Sequence, residues 1–320
     1  MNEGVLRRRR RLGWLLPGVL FLVFGALVVR NSWLSDDAYI TFRTVDNFVH
    51  GYGLTWNVFE RVQVYTHPLW MFLVSGVYAV TGEITITSQL LSIVVSMAAV
   101  GLLLFGVSRS AMLSAVVAVV FCLSKATVDY ATSGLENPLT HLILAFFLLT
   151  YVRPRRGSSG IFWLSCWAAL GITNRMDTAV LFGPALAWAL LSRLTWRSVG
   201  QAALGMAPLL VWEVFSLVYY GALVPNTALA KLNTGLIDAA TLTAHGWTYL
   251  YNSLRVDPIT LVALASGGLA AFAARRWRQL PLVGGIVIYL LYIVRVGGDF
   301  MSGRFLSAPL FLAMGVLLAS

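Results

Sequence analysis

The chain has 320 residues, of which 58% are hydrophobic and 11% are charged, and its 23 Lys and Arg residues outnumber its 13 Asp and Glu residues. Soluble domains carry about 45–50% apolar and about 25% charged residues, so this composition excludes an ordinary soluble domain, a disordered chain and a disulfide scaffold. A net charge of +10 in so apolar a chain indicates orientation in a membrane, and no nucleic-acid partner is expected.

The N-terminal segment contains five consecutive arginines, Arg7 to Arg11, followed by an apolar run at 12–29. A cleavable signal peptide has a shorter apolar region and a small-residue cleavage motif. We therefore expect a retained first span with a cytoplasmic N-terminus.

Ten apolar runs predict membrane spans, and several are shorter than the about 20 residues of a straight span. The ten runs lie at 12–29, 86–107, 112–123, 139–152, 161–172, 179–191, 199–218, 259–274, 280–294 and 305–319. A further run at 68–80 is ambiguous. If it does not cross, the basic clusters that begin at Arg109, Arg153, Arg193 and Arg275 all join the N-terminus on the cytoplasmic side, as the positive-inside rule requires. The sequence therefore predicts an all-α polytopic bundle of about ten spans.

Acidic residues gather on the opposite side in this topology. Of the 13 acids, all except Glu3 and Glu213 lie on or near the outer side. Acids contribute little to membrane orientation, so their placement needs another cause. We expect an outward-facing polar site assembled from several loops.

The first outer loop, 31–67, predicts a helix lying in the membrane interface. Ser35 followed by Asp36 and Asp37 is typical of a helix start, and the apolar residues that follow recur with helical spacing. Asp36 and Arg43 are two turns apart and share a face of this helix that differs from the apolar one. The acid pair is interpreted either as a helix cap or as catalytic carboxylates.

Three later outer loops carry further candidates, each with a structural alternative. Glu136 precedes a span and is either a cap or a site residue, and Arg175 with Asp177 forms either a structural pair or a ligand site. Lys231 precedes a second predicted interfacial helix at 237–254 and could meet an anionic head group. The glycine-rich segment 295–304 is suited to phosphate contacts, although glycines also form simple turns.

Several motifs together resemble one family. They are DDAYITFR at 36–43, GYGLTWNVFERVQVYTHPLW at 51–70, SGLENPL at 133–139, YYGALVPNTALAK at 219–231 and GGDFMSGRFL at 297–306. The chain resembles the polyprenyl-phosphate-sugar-dependent glycosyltransferases of the C-type membrane fold (GT-C). Among these it is most similar to the terminal arabinofuranosyltransferases of the mycobacterial cell wall, and more distantly to the lipid A aminoarabinose transferase and protein mannosyltransferases.

The resemblance implies a helical bundle with juxtamembrane helices, a polyprenyl-phosphoryl sugar donor and a catalytic acid that falls on Asp36 or Asp37. We expect an inverting transfer in which that acid is the general base, with an envelope glycan or lipid as acceptor. The site would face outward from the plasma membrane of a bacterium. The expected donor-phosphate cations are Arg43, Arg175, Lys231 and Arg304, and the residues expected to orient sugar or acceptor are Glu60, His67, Glu136, Asp177 and Asp299.

Other features leave the substrate and the boundaries open. The family often has GER where this chain has Phe59, Glu60 and Arg61, which bears on acceptor or sugar specificity. No cofactor or metal site is assigned, and carboxylate ligands would favour Mg, Ca or Mn. Family members run longer, so residues 1–320 are expected to be one transmembrane catalytic domain, truncated before further spans or a soluble domain.

Two other functions remain open alternatives. A transporter or flippase would place charges along a pathway through the spans and commonly shows pseudo-repeats, which we do not find in the sequence. A non-catalytic component of envelope or motility machinery could keep the fold without the chemistry.

Overall fold

The computed structural model describes residues 12–153, 159–225 and 237–319, and Lys231 lies outside the described residues. Within these ranges every regular element is a helix. The α-helices are α1 Leu15–Arg30, α2 Asp36–Val49, α3 Pro68–Thr81, α4 Ile84–Gly101, α5 Ala111–Leu123, α6 Lys125–Val128, α7 Asn137–Val152, α8 Ser159–Asn174, α9 Ala179–Leu191, α10 Trp196–Gly205, α11 Ala207–Tyr220, α12 Ala239–Val256, α13 Pro258–Ala273, α14 Leu280–Val296 and α15 Arg304–Ala319. The all-α fold class predicted from the sequence is confirmed.

The described helices confirm fewer membrane spans than the sequence predicts. Among the described residues, Ile84–Val107 and Trp277–Val296 are each long and apolar enough to cross a membrane, and up to 5 spans result if three sharply bent helix pairs are each counted as one. Other apolar helices, such as α1, α3 and α7, fall short of the about 20 residues of a straight span. The count of about ten spans is therefore not confirmed and stays a prediction, as does the non-crossing position of α3.

The predicted interfacial helix of the first outer loop is α2. The Ser35 hydroxyl accepts a hydrogen bond from Ala38 N at 3.3 Å, which caps the helix as expected. Ala38, Phe42 and Val45 form its buried stripe, and α3 packs against it. The predicted periodicity of α2 is thus confirmed.

The predicted second interfacial helix corresponds to α12, which begins after Asp238 and turns by 104° into α13. Its Trp247 and Tyr251, two members of the predicted apolar stripe, are exposed, and the interfacial position of the helix stays a prediction. At the bend, the Asp257 carboxylate accepts hydrogen bonds from the Thr260 hydroxyl at 2.6 Å and from Ala126 N at 3.1 Å. Asp257 therefore caps α13 and ties it to α6.

A loop that includes Ser133 and Gly134 fixes the start of α2. Ser133 O accepts a hydrogen bond from Ser35 N at 2.9 Å, and Gly134 O accepts one from Trp70 Nε1 at 2.9 Å. Gly134 has φ of +78°, and a Cβ added there would lie 2.7 Å from Ala38 Cβ. Only glycine suits this position, because the left-handed backbone and the close approach of α2 both exclude a side chain.

We expect Gly134→Ala to destabilise the protein by about 1–3 kcal/mol, since it adds backbone strain and a clash with α2. Thermal unfolding of the detergent-solubilised protein, followed by circular dichroism, measures the change. Gly76→Ala in α3 is the matched control, because its Cβ would meet nothing within 4 Å and helical alanine is favourable. Equal melting temperatures for Gly134→Ala and the wild type would contradict the requirement for glycine at this position.

Candidate active site

A cavity of about 310 Å³ opens among the loops and helix ends that carry most of the predicted site residues. It lies where the first outer loop meets the turn after α8 and the start of α15. Its lining consists of Asp37, Ile40, Thr41, Val64, Tyr65, Thr66, His67, Leu135, Arg175, Met176, Asp177, Pro225, Tyr292, Asp299, Arg304 and Phe305. Several charged and polar side chains among apolar ones in a cavity wall are typical of a ligand site.

Glu136 lies behind this wall, with a side chain only 1% exposed. Its Oε1 accepts a hydrogen bond from Arg175 Nη1 at 2.5 Å and lies 3.3 Å from Arg304 Nη2, while its Oε2 lies 3.2 Å from His67 Nδ1. Burial alone would raise the pKa of Glu136, but attraction to Arg304 and Arg175 and the His67 contact outweigh it and hold the pKa well below its ordinary value. Glu136 is therefore an ionised counter-ion shared by two guanidinium groups.

Arg175 is fixed by a second carboxylate and by an aromatic ring. Its Nε is 2.8 Å and 2.9 Å from the two Asp177 carboxylate oxygens, and its guanidinium lies 4.6 Å from the centroid of the Phe305 ring. Burial would lower the pKa of Arg175, but Asp177 and Glu136 are among the groups that raise it well above its usual value. Tyr289 donates a further hydrogen bond to Asp177 at 3.2 Å. The Arg175 cation is thus permanent and held in one orientation.

The turn after α8 presents Arg175 to the cavity. The helix ends at Asn174, whose side-chain amide donates to Glu136 O at 3.1 Å and to the Thr140 hydroxyl at 2.9 Å. A short 3-10 turn then begins at Met176, and the Thr178 hydroxyl donates to Arg175 O at 2.7 Å. The break in the apolar sequence is therefore a defined turn held by the hydrogen bonds of Asn174 and Thr178.

Arg304 is the cation that contacts the first outer loop. Its Nη1 lies 3.4 Å from Asp299 Oδ2 and 3.6 Å from Asp37 Oδ2. Gly297, Gly298 and Gly303 adopt positive φ between α14 and α15, which allows the tight turns that bring Asp299 back to Arg304. The glycine-rich segment thus positions an arginine at the cavity.

The structure separates the two candidate catalytic acids. The Asp37 side chain is 35% exposed and lines the cavity, whereas the side chains of Asp177 and Asp299 are 10% and 4% exposed and are held against arginines. Asp36 is exposed outside the cavity lining, and its Oδ1 accepts a hydrogen bond from Asp37 N at 3.0 Å. Asp37 is therefore the carboxylate of the pair that a ligand in the cavity can reach.

Two other predicted residues lie away from the cavity lining. Arg43 donates to Trp56 O at 2.9 Å and stacks 4.1 Å from the centroid of the Trp56 ring. Glu60 is exposed and accepts a hydrogen bond from Asn57 Nδ2 at 2.5 Å. Both side chains stabilise the first outer loop locally. The structure therefore brings together Asp37, His67, Glu136, Arg175, Asp177, Asp299 and Arg304.

Sequence reasoning missed several cavity residues. Thr41 lines the cavity, and its Oγ1 lies 2.8 Å from His67 Nε2. Its position one turn after Asp37 on the same helical face was the available signal. Tyr65 is buried in the wall with its hydroxyl 2.9 Å from the Tyr220 hydroxyl, and burial raises its pKa. Nothing in the local sequence indicates that pairing, because the two tyrosines are 155 residues apart.

Among the residues that the structure describes, no group of three or more His, Cys, Asp or Glu side chains could hold a metal ion. The carboxylates at the cavity contact arginines instead. A role for Mg, Ca or Mn therefore stays a prediction from the sequence.

Comparison with known proteins confirms the resemblance. No protein-family model matches the chain. The chain is 31% identical to a terminal beta-(1->2)-arabinofuranosyltransferase of Mycobacterium tuberculosis over 93% of its own length and 54% of the relative, and 30% identical to the corresponding protein of Corynebacterium glutamicum over 88% and 47%. It thus spans about half the length of these curated relatives.

A solved structure shares the fold. ArnT from Cupriavidus metallidurans, in a crystal structure bound to undecaprenyl phosphate, aligns with a TM-score of 0.63 at 14% identity, over 95% of this chain and 59% of ArnT. The chain therefore shares its helical fold with this structure.

We expect Glu136→Gln to destabilise the protein by about 3–5 kcal/mol at neutral pH, because it leaves two buried guanidinium groups without their shared counter-ion. Since the folded-state pKa of Glu136 is depressed below the ordinary 4.5, its stabilisation is present above that value and is lost as pH falls through the folded pKa. The difference in melting temperature between wild type and variant should therefore shrink on acidification.

Glu60→Gln is the matched control, because this acid is exposed and outside the arginine network. It should leave the melting temperature nearly unchanged. A Glu136→Gln protein as stable as the wild type at pH 7 would show that the network does not hold the cavity together.

Proposed function

We propose that this homologue of the terminal arabinofuranosyltransferases is an integral membrane glycosyltransferase. It transfers a sugar, arabinofuranose in our proposal, from a polyprenyl-phosphate donor to an envelope glycan or lipid acceptor on the extracytoplasmic side of a bacterial plasma membrane. The observation that carries the proposal is the cavity in which the partly exposed Asp37 carboxylate stands beside the Arg175 and Arg304 cations.

Asp37 is the general base in this mechanism. Its carboxylate takes the proton of the acceptor hydroxyl while that oxygen attacks the anomeric carbon. The bond between the anomeric carbon and the phosphate oxygen breaks, and its electron pair leaves with the polyprenyl phosphate. Because attack and departure occur on opposite faces, the anomeric configuration inverts. Such base assistance contributes about 10²–10⁴-fold to the rate.

Arg175 and Arg304 stabilise the leaving phosphate. Negative charge grows on the phosphate as the bond breaks, so cations fixed in advance act most strongly in the transition state. Arg304 is suited to this role because it lines the cavity beside Asp37. Lys231 stays a proposed third cation.

Glu136, Asp177 and Asp299 act first as positioning residues for the two arginines. His67 bridges Thr41 and Glu136 at the cavity wall, so we assign it the role of positioning the Thr41 hydroxyl that lines the cavity. This assignment refines the expectation that all these residues orient sugar or acceptor, since the Glu136 carboxylate is buried behind the cavity.

The lipid-linked donor is supported by the neighbour of similar fold, which was solved with undecaprenyl phosphate. The bilayer that surrounds the protein would then also supply its lipid-linked donor. The arabinofuranosyl specificity is supported by the curated relatives.

We expect Asp37→Asn to lower kcat by about 10²–10⁴-fold because the amide cannot accept the hydroxyl proton. Asp36→Asn is the matched control and should keep kcat within a few-fold of wild type, since Asp36 lies outside the cavity. Transfer from a polyprenyl-phosphoryl sugar by the full-length protein in proteoliposomes measures both. Full activity of Asp37→Asn would remove Asp37 as the base.

We expect Arg175→Lys to lower kcat by about 10²-fold, because lysine cannot reproduce the fork that contacts Asp177 and Glu136 together. Arg43→Lys is the control, since Arg43 stacks on Trp56 away from the cavity. The same assay, with melting temperatures recorded in parallel, separates catalysis from stability. Equal activities of these two variants would contradict a phosphate role for Arg175.

A further inference from the structure

Glu213 is an isolated charge in an apolar helix. It is the only charged residue in α11, which reads APLLVWEVFSLVYY and forms a bent, membrane-spanning candidate together with α10. An ionisable side chain at such a position is costly and normally faces a cavity or a partner. No described residue forms a hydrogen bond or ion pair with Glu213, although its side chain is partly buried. The cost of this carboxylate is therefore not offset within the described part of the chain.

The Glu213 side chain lines a small notch beside the candidate active site. The notch has a volume of about 10 Å³, which matches one water molecule or one hydroxyl group. Thr66, Met176 and Pro225 line both the notch and the larger cavity. The notch therefore adjoins the cavity through a shared wall.

The chemistry of the notch favours a neutral hydrogen-bond donor. Neither Arg175 nor Arg304 lines it, so a phosphate there would meet the Glu213 carboxylate without a compensating cation. Gln63, also in the lining, is already engaged, since its amide donates to Tyr65 O at 3.2 Å and accepts from the Ser216 hydroxyl at 3.2 Å. An ionised carboxylate only accepts hydrogen bonds, so its suitable ligand is a hydroxyl group.

We infer that Glu213 is a further substrate-contacting residue, which accepts a hydrogen bond from one hydroxyl of a sugar bound in the cavity. The inference rests on the proposed glycosyl transfer and extends its site to the α11 wall. Donor and acceptor both carry sugar hydroxyls. The KM values measured for each substrate distinguish which of the two contacts Glu213.

The test compares Glu213→Leu and Glu213→Gln in the full-length, reconstituted protein, with donor and acceptor concentrations varied separately. A hydrogen bond to a charged group is worth about 1.5–3 kcal/mol, so Glu213→Leu should raise the KM of the contacted substrate by about 10–100-fold. The Gln variant retains an acceptor oxygen and should lose less. The substrate whose KM rises is the one that Glu213 contacts.

Val214→Leu is the matched control, because Val214 is 64% exposed on the outer surface of the same helix. Leucine also suits an apolar helix, so Glu213→Leu should fold with an unchanged or higher melting temperature. Wild-type KM values for both substrates in this folded variant would overturn the inference while leaving the proposed function intact. Absence of transfer by the wild-type protein would overturn the proposed function itself.

Discussion

The buried carboxylate of Glu136 is the contact on which the arrangement of the cavity depends. It joins four segments that are distant in sequence: the start of α7, Arg175 after α8, Arg304 at the start of α15, and His67 before α3. A buried carboxylate without partners would cost several kcal/mol, so the fold is stable only when these segments meet. Arg304 in turn faces Asp37. The proposed base is therefore linked, through one arginine, to a residue that does not line the cavity.

The ion pairs around Glu136 fix the orientation of the cations more than they stabilise the fold. Replacing a buried ionic cluster with apolar residues often leaves a protein equally stable. Charges buried inside the protein therefore point to a function. Arg175 is held by Glu136, by both oxygens of Asp177 and by the Phe305 ring, which leaves its guanidinium little freedom to reorient. Cations fixed in this way need no reorganisation when charge develops on a substrate. The acids around Arg175 thus account for the rigidity of this cation.

Local sequence patterns predicted the elements better than they predicted the site. Capping residues and apolar spacing located α2 and α12, and the motifs pointed to the family resemblance and the fold. Helical spacing also placed Arg43 on the face of Asp36, and in the structure both lie outside the cavity lining, which takes Asp37 and Thr41 from α2 instead. Periodicity defines which residues share a face, but only packing decides which face meets the cavity. The pairing of Glu136 with Arg175 and Arg304 is a long-range contact and has no local signature.

The acids and cations at the cavity differ in number, and they suit different parts of a substrate: the phosphate and the sugar hydroxyls. Asp37, Glu136, Asp177 and Asp299 outnumber Arg175 and Arg304 among the described residues. An anionic donor therefore requires further positive charge nearby, for which Lys231 is the proposed source. Sugar hydroxyls need no such compensation, because a carboxylate is their natural acceptor. An acid-rich cavity with few, rigid cations suits a substrate that is mostly polyol and carries its charge at one end.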